Sequence, residues 1–169
     1  MLLCLEKTLQ TDVDMIILRE KDLHKDAYMH LADRVIRLCT QYQKLCILHY
    51  FWQEAAALKY PYVHVTMNQL KLMTDQDKKK FEILGVSTHS VEEAIEAEYL
   101  GASYITASHI FPTDCKKGLE PRGLSYLRET VQSVHIPVYA LGGIHPDRIQ
   151  DCIDTGAAGV CMMSEYMKI

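Results

Sequence analysis

The densest group of residues able to do chemistry lies in "ASHIFPTDCKKGLEPRG" (107–123), where His109, Thr113, Lys116, Lys117 and Arg122 share one glycine- and proline-punctuated stretch. It follows a run that reads as a buried strand. Cationic and hydroxyl side chains together suit an anionic substrate, and an imidazole among them can give or take a proton near neutral pH. A solvated basic loop is the competing reading. A lone histidine beside an apolar strand is more often a hydrogen-bonded structural residue. The place of His109, at the strand's end and directly before the basic loop, favours chemistry. His30 and His135 have no such placement and read as structural or exposed.

Other residues of the same kind fall at the ends of other apolar runs: Arg19 and Lys21, then His49 and Tyr50, Thr66, then Ser87, Thr88 and His89, and Ser164. Arg19 and Lys21 alternate, which puts both on one face of an extended segment. No pair of carboxylates stands at these ends, so no divalent metal held by Asp or Glu is expected. "LGGIHPDR" (141–148) sets Gly142 and Gly143 between a strand and a helix start at Pro146, where backbone can approach a ligand and free amides attract phosphate. "VCMMSEY" (160–166) repeats the arrangement at Met163 and Ser164. The alternative is that the glycines only make a tight turn.

These residues need elements to position them. Seven short runs read as strands, at 15–19, 45–49, 62–65, 82–87, 103–108, 137–141 and 158–163. Between them lie helical patterns, among them 25–43, 69–81, 90–101, 124–134 and 145–156. Ser90 reads as an N-cap with Glu93 three residues on, and Gly101 and Gly156 sit where helices stop. Strand alternating with helix demands parallel strands and right-handed crossovers, met by an open doubly wound sheet or a closed (β/α) barrel. Either places the site at the carboxyl ends of the strands. A barrel has eight strands and roughly 250 residues, so a chain of 169 that opens on a helix at 2–10 would lack the first strand and the last helix.

With 49% hydrophobic and 24% charged residues, the composition fits one globular domain spanning 1–169. A net charge of −4 without a basic run gives no footprint for nucleic acid. The six cysteines show neither C-x-x-C nor zinc-ligand spacing, so reduced thiols in a cytoplasmic protein are expected. Glu6 interrupts the apolar start, which makes a poor signal peptide, and no stretch is long enough to span a membrane.

"LREKD", "GVSTHSVEEAIEAEYLGASYI", "FPTDCKKG", "PVYALGGI" and "GAAGVCMMS", in this order, resemble the thiamine phosphate synthase and thiazole tautomerase superfamily. The resemblance runs from about Val13 to Ser164 and implies an α/β fold, a (β/α)8 TIM-barrel-like domain. "SHIFPTDCKKGLEPRG" resembles the tautomerase branch, in which a histidine precedes the loop. The synthase pattern needs magnesium for loss of pyrophosphate. Arg19 and Lys21 match that pattern, whereas its glutamine position is Ile17, its Asn-Asp pair is His49 and Tyr50, and its last Asp is Gln69. Ser87, Thr113 and Lys116 are retained.

The resemblance therefore implies a metal-independent isomerase without cofactor, acting on a thiazole carboxylate phosphate in thiamine biosynthesis. His109 would serve as base and acid. Gly142, Gly143, Met163 and Ser164 would lie at the phosphate, with Arg19, Lys21 and Lys116 near the carboxylate. Two alternatives stand beside it: an atypical thiamine phosphate synthase, and a non-catalytic regulator that binds thiazole or thiamine phosphates. A missing strand would leave a sheet gap for a second copy of the chain, as a homodimer, or for the N-terminal segment to cover.

Overall fold

The computed structural model describes residues 2–113, 116 and 118–168. In chain order the elements are α1 (Leu2–Leu9), β1 (Met15–Leu18), α2 (Lys25–Gln41), β2 (Leu45–His49), α3 (Trp52–Ala57), β3 (Tyr62–Thr66), α4 (Met67–Leu72) and α5 (Asp75–Lys78). There follow β4 (Ile83–Thr88), α6 (Val91–Tyr99), β5 (Tyr104–Ser108), α7 (Gly123–Ser133), β6 (Val138–Leu141), α8 (Ile149–Ile153) and β7 (Gly159–Cys161). All seven expected strands form. The chain divides into two compact units: Met1–Val65 with Thr74–Ile83 and Met163–Ile169, and Thr66–Met73 with Leu84–Met162.

In the first unit β1 pairs in parallel with β2, Met15 opposite Leu45, and β2 with β3, His49 opposite His64. Residues 46–49 are all buried, the near-continuous burial of a parallel strand covered on both faces. Helix α2 buries Tyr28, Ala32, Val35 and Cys39, one stripe at helical spacing.

In the second unit β4, β5, β6 and β7 pair in parallel in that order, with Ser87 opposite Thr106 and Ser108 opposite Leu141. Every residue of β5 is buried. Helix α6 opens on Ser90, whose hydroxyl accepts from the Glu93 amide at 3.1 Å, and buries Ala94 and Ala97. Gly101 and Gly156 take positive φ just past α6 and α8.

The helix expected over 69–81 is instead two short ones. Thr66 and Gln69 form a capping box on α4, Met73 is extended, and Thr74 and Asp77 form a second box on α5. A hydroxyl that satisfies a fresh set of helix-start amides outcompetes continuation of the first helix. Helix α3 was not expected, since its six residues are too few for a period to register.

Candidate functional site

Within the second unit the chain leaves β5 at Ser108 and runs along the end of β6. The Ile110 amide donates to the Leu141 carbonyl at 3.1 Å and the Phe111 amide to that of Gly142 at 3.0 Å. The His109 carbonyl accepts from the Arg122 amide at 3.0 Å. His109 is thereby drawn in and is 5% exposed. A Cβ on Gly142 would stand 2.5 Å from the His109 Cβ, and one on Gly143 would meet the Pro112 carbonyl and stand 2.7 Å from that of Phe111. With φ of +100° and +66°, both positions favour glycine on backbone grounds too. The backbone that approaches these glycines is the chain's own segment 109–112, which accounts for their lack of side chains without a ligand.

The His109 Nε2 lies 3.4 Å from the Leu119 carbonyl. A carbonyl only accepts, so Nε2 carries the hydrogen in that bond, and in the neutral ring the lone pair is then on Nδ1. Thr113 and Lys116 sit on the loop that follows, the Lys116 amide donating to the Thr113 carbonyl at 3.1 Å. Burial, and after it the charge of Arg122, lowers the Lys116 pKa. Asp114, Cys115 and Lys117 of the basic loop lie outside the described residues. Ser87 is half-buried near the end of β4. The structure thus brings His109, Gly142, Gly143 and the Thr113–Lys116 turn onto one unit.

Arg19, Lys21, Met163 and Ser164 belong to the other unit, where all four are exposed. Arg19 and Lys21 follow β1; Met163 and Ser164 lie in the turn between β7 and a short 3-10 turn at Tyr166–Lys168. His49, at the end of β2, is buried and its Nδ1 has no partner. Burial, then Arg19, then Lys21, push its pKa down to about 4. Its ring stacks on His64 at 5.3 Å, whose pKa falls to about 3 through burial and then His49. The Tyr28 hydroxyl accepts from the His49 amide at 3.1 Å and donates to the Leu18 carbonyl at 3.0 Å, fastening α2 to the ends of β1 and β2. Neither His64 nor Tyr28 was singled out from sequence, because each reads there as one more member of a buried stripe.

A hard cation such as magnesium takes oxygen ligands, chiefly carboxylates. At the two positions where the resemblance sets metal carboxylates the chain has Tyr50 and Gln69, and the Gln69 side chain is occupied, its Oε1 accepting from the Thr66 amide at 3.1 Å. These residues do not fit magnesium. Among the described residues no cluster of three or more His, Cys, Asp or Glu side chains could hold a metal ion. The five described cysteines are free, and no described helix is long and apolar enough to cross a membrane.

Seven parallel strands alternating with helices, with histidine, lysine and hydroxyl groups at their carboxyl ends, define a TIM-barrel-like α/β protein. A solved thiamine phosphate pyrophosphorylase from Pyrococcus furiosus shares this fold, with a TM-score of 0.80, 28% identity and coverage of 95% of this chain and 78% of that one. FabK from Thermotoga maritima, at 18% identity and a TM-score of 0.70 over 89% of this chain and 50% of that one, shares the fold alone. The family model of thiamine monophosphate synthase matches residues 1–166, and the chain belongs to that family. Relatives include a thiamine-phosphate synthase of Shouchella clausii, 36% identical over 96% of this chain and 79% of its own length. A putative thiamine-phosphate synthase 2 of Aquifex aeolicus is 37% identical over 97% of this chain and 88% of its own.

Proposed function

We propose that this protein is an enzyme of thiamine biosynthesis that isomerises a thiazole carboxylate phosphate to its aromatic tautomer, with His109 as base and then acid. The observation that carries this reading is His109, buried at the end of β5 with its Cβ against Gly142 and its Nε2 toward the Leu119 carbonyl. Nδ1 takes the proton from the ring carbon, and the electron pair left behind moves through the ring toward the exocyclic carbon. The imidazolium then delivers the proton there. One proton leaves one carbon and arrives at another, so one imidazole suffices once the substrate is held. On the unit that carries His109, the backbone at Gly142 and Gly143 supplies the phosphate subsite, and Ser87, Thr113 and Lys116 the remaining polar contacts.

The test is to incubate purified protein with the unaromatised thiazole carboxylate phosphate and follow the aromatic product. Turnover falls about 10²- to 10⁴-fold in His109→Ala; a variant as fast as its parent removes His109 from the mechanism.

The second reading is thiamine phosphate synthase, and the names of the relatives favour it over the isomerase. Against it stand Tyr50 and Gln69 in place of the two metal carboxylates. It requires magnesium-dependent joining of the aminopyrimidine diphosphate to the thiazole phosphate, and no product with both substrates saturating would end it.

A further inference from the structure

We infer that His89 and Ser108 act as a positioning pair that sets the orientation of His109, an inference that rests on the isomerase reading above. Ser108 is the last residue of β5 and directly precedes His109. Its hydroxyl lies 2.9 Å from the His89 Nδ1, and its carbonyl lies 3.3 Å from the same nitrogen. The shorter approach pairs the hydroxyl as donor with the Nδ1 lone pair, leaving the ring hydrogen on Nε2.

The ring that grips Ser108 is itself anchored. The His89 amide donates to the Glu93 Oε2 at 2.6 Å, while the Glu93 amide donates to the Ser90 hydroxyl at 3.1 Å. In a full capping box the Glu93 carboxylate would return to the amide of the cap residue. Here it takes the amide one residue earlier, so the start of α6 holds His89 instead of closing on itself. A continuous set of bonds therefore runs from the cap of α6 through Glu93 and His89 to Ser108.

His109 is held on its other sides by different groups: its carbonyl by the Arg122 amide, its Cβ by Gly142, and its Nε2 by Leu119 at a long 3.4 Å. That last bond is weak for fixing a ring. The peptide entering His109 is fixed from the β4 side by His89. Since an error of about 1 Å in a catalytic group can cost about a hundredfold in rate, this bond bears on turnover more than on binding.

The experiment compares His89→Ala, His89→Asn, Ser108→Ala and Ser108→Thr in full-length protein. An asparagine carbonyl can take the hydroxyl proton in place of Nδ1, and threonine keeps the hydroxyl. His89→Ala and Ser108→Ala lower kcat about 10- to 100-fold with KM changed less than about twofold. His89→Asn and Ser108→Thr recover most of the loss. The double alanine variant is no slower than either single one, because both remove the same bond. His89→Asn as slow as His89→Ala, or losses that multiply in the double variant, would overturn the pair. An independent reading comes from the imidazole nitrogen resonances of His109 in histidine-labelled protein: one tautomer in the parent, averaged signals in the two alanine variants. Unchanged resonances sink the pair whatever the activity. Changed resonances in a protein without turnover on the thiazole sink the isomerase reading and leave the pair standing.

Discussion

His109 occupies the space that a side chain on residue 142 would need: its Cβ is 2.5 Å and its Cα 3.0 Å from where a Gly142 Cβ would stand. Gly142 also has φ of +100°, so alanine there is strained twice over. Gly142→Ala should lower stability by roughly 2–4 kcal/mol, seen as a lower urea midpoint. It should also reduce kcat by displacing His109, whereas a kcat equal to the parent's would show that the ring does not depend on this contact.

The two capping boxes that split the expected helix make a paired prediction. Thr66→Ala and Thr74→Ala should each cost about 1 kcal/mol, and Thr66→Ser or Thr74→Ser should cost little. Chemical denaturation of the four variants measures this. No loss in Thr74→Ala would mean that the break at Met73 has another cause.

Acid stability should depend on the stacked histidines His49 and His64. Both have folded pKa values below the ordinary histidine value, about 4 and about 3. Between pH 6.5 and about 4 for His49, and down to about 3 for His64, the unfolded chain therefore binds protons that the folded chain refuses. Stability is full above pH 6.5 and falls as pH drops through that window, by up to about 1.4 kcal/mol per pH unit per histidine. His49→Gln should flatten the slope of unfolding free energy against pH; an unchanged slope assigns the acid sensitivity elsewhere.

Glu98 joins α6 to the approach of β6, its Oε1 accepting from the His135 amide at 2.7 Å and the Ile136 amide at 3.1 Å. Glu98→Ala should destabilise by roughly 1–3 kcal/mol and Glu98→Gln by less, since the amide oxygen still accepts. Thermal melts of the two variants should rank in that order.

Lys116 is expected to act in binding. With Lys116→Ala the thiazole assay should show KM rising about tenfold with kcat nearly kept, the pattern of lost uniform binding. A fall in kcat at constant KM would instead put this ammonium at the reacting atoms.

The strands were legible because a parallel strand covered on both faces must be an apolar run: 45–49 and 103–108 differ from the observed β2 and β5 by at most one residue. The cap at Ser90 was legible because a hydroxyl followed by Glu93 has a local meaning, although the Glu93 carboxylate went to His89. The break within 69–81 was not legible, since the same residues suit one helix or two and the choice lay between competing hydrogen bonds. Among candidate site residues, His109 could be proposed from its place between a strand and a basic loop. That its Cβ packs on Gly142 could not, because a contact between 109 and 142 exists only once β5 and β6 lie side by side.

The amino-acid order alone thus determined the β/α succession, the family resemblance and the candidate side chains for the proposed proton transfer and anion binding, all of which rest on local pattern and residue chemistry. Tertiary structure decided that Gly142 and Gly143 receive the chain's own backbone, that His49 is buried against His64, and that His89 reaches Ser108. Each is a contact between residues brought together by strand pairing, and strand pairing leaves no trace in the spacing of residues along one strand.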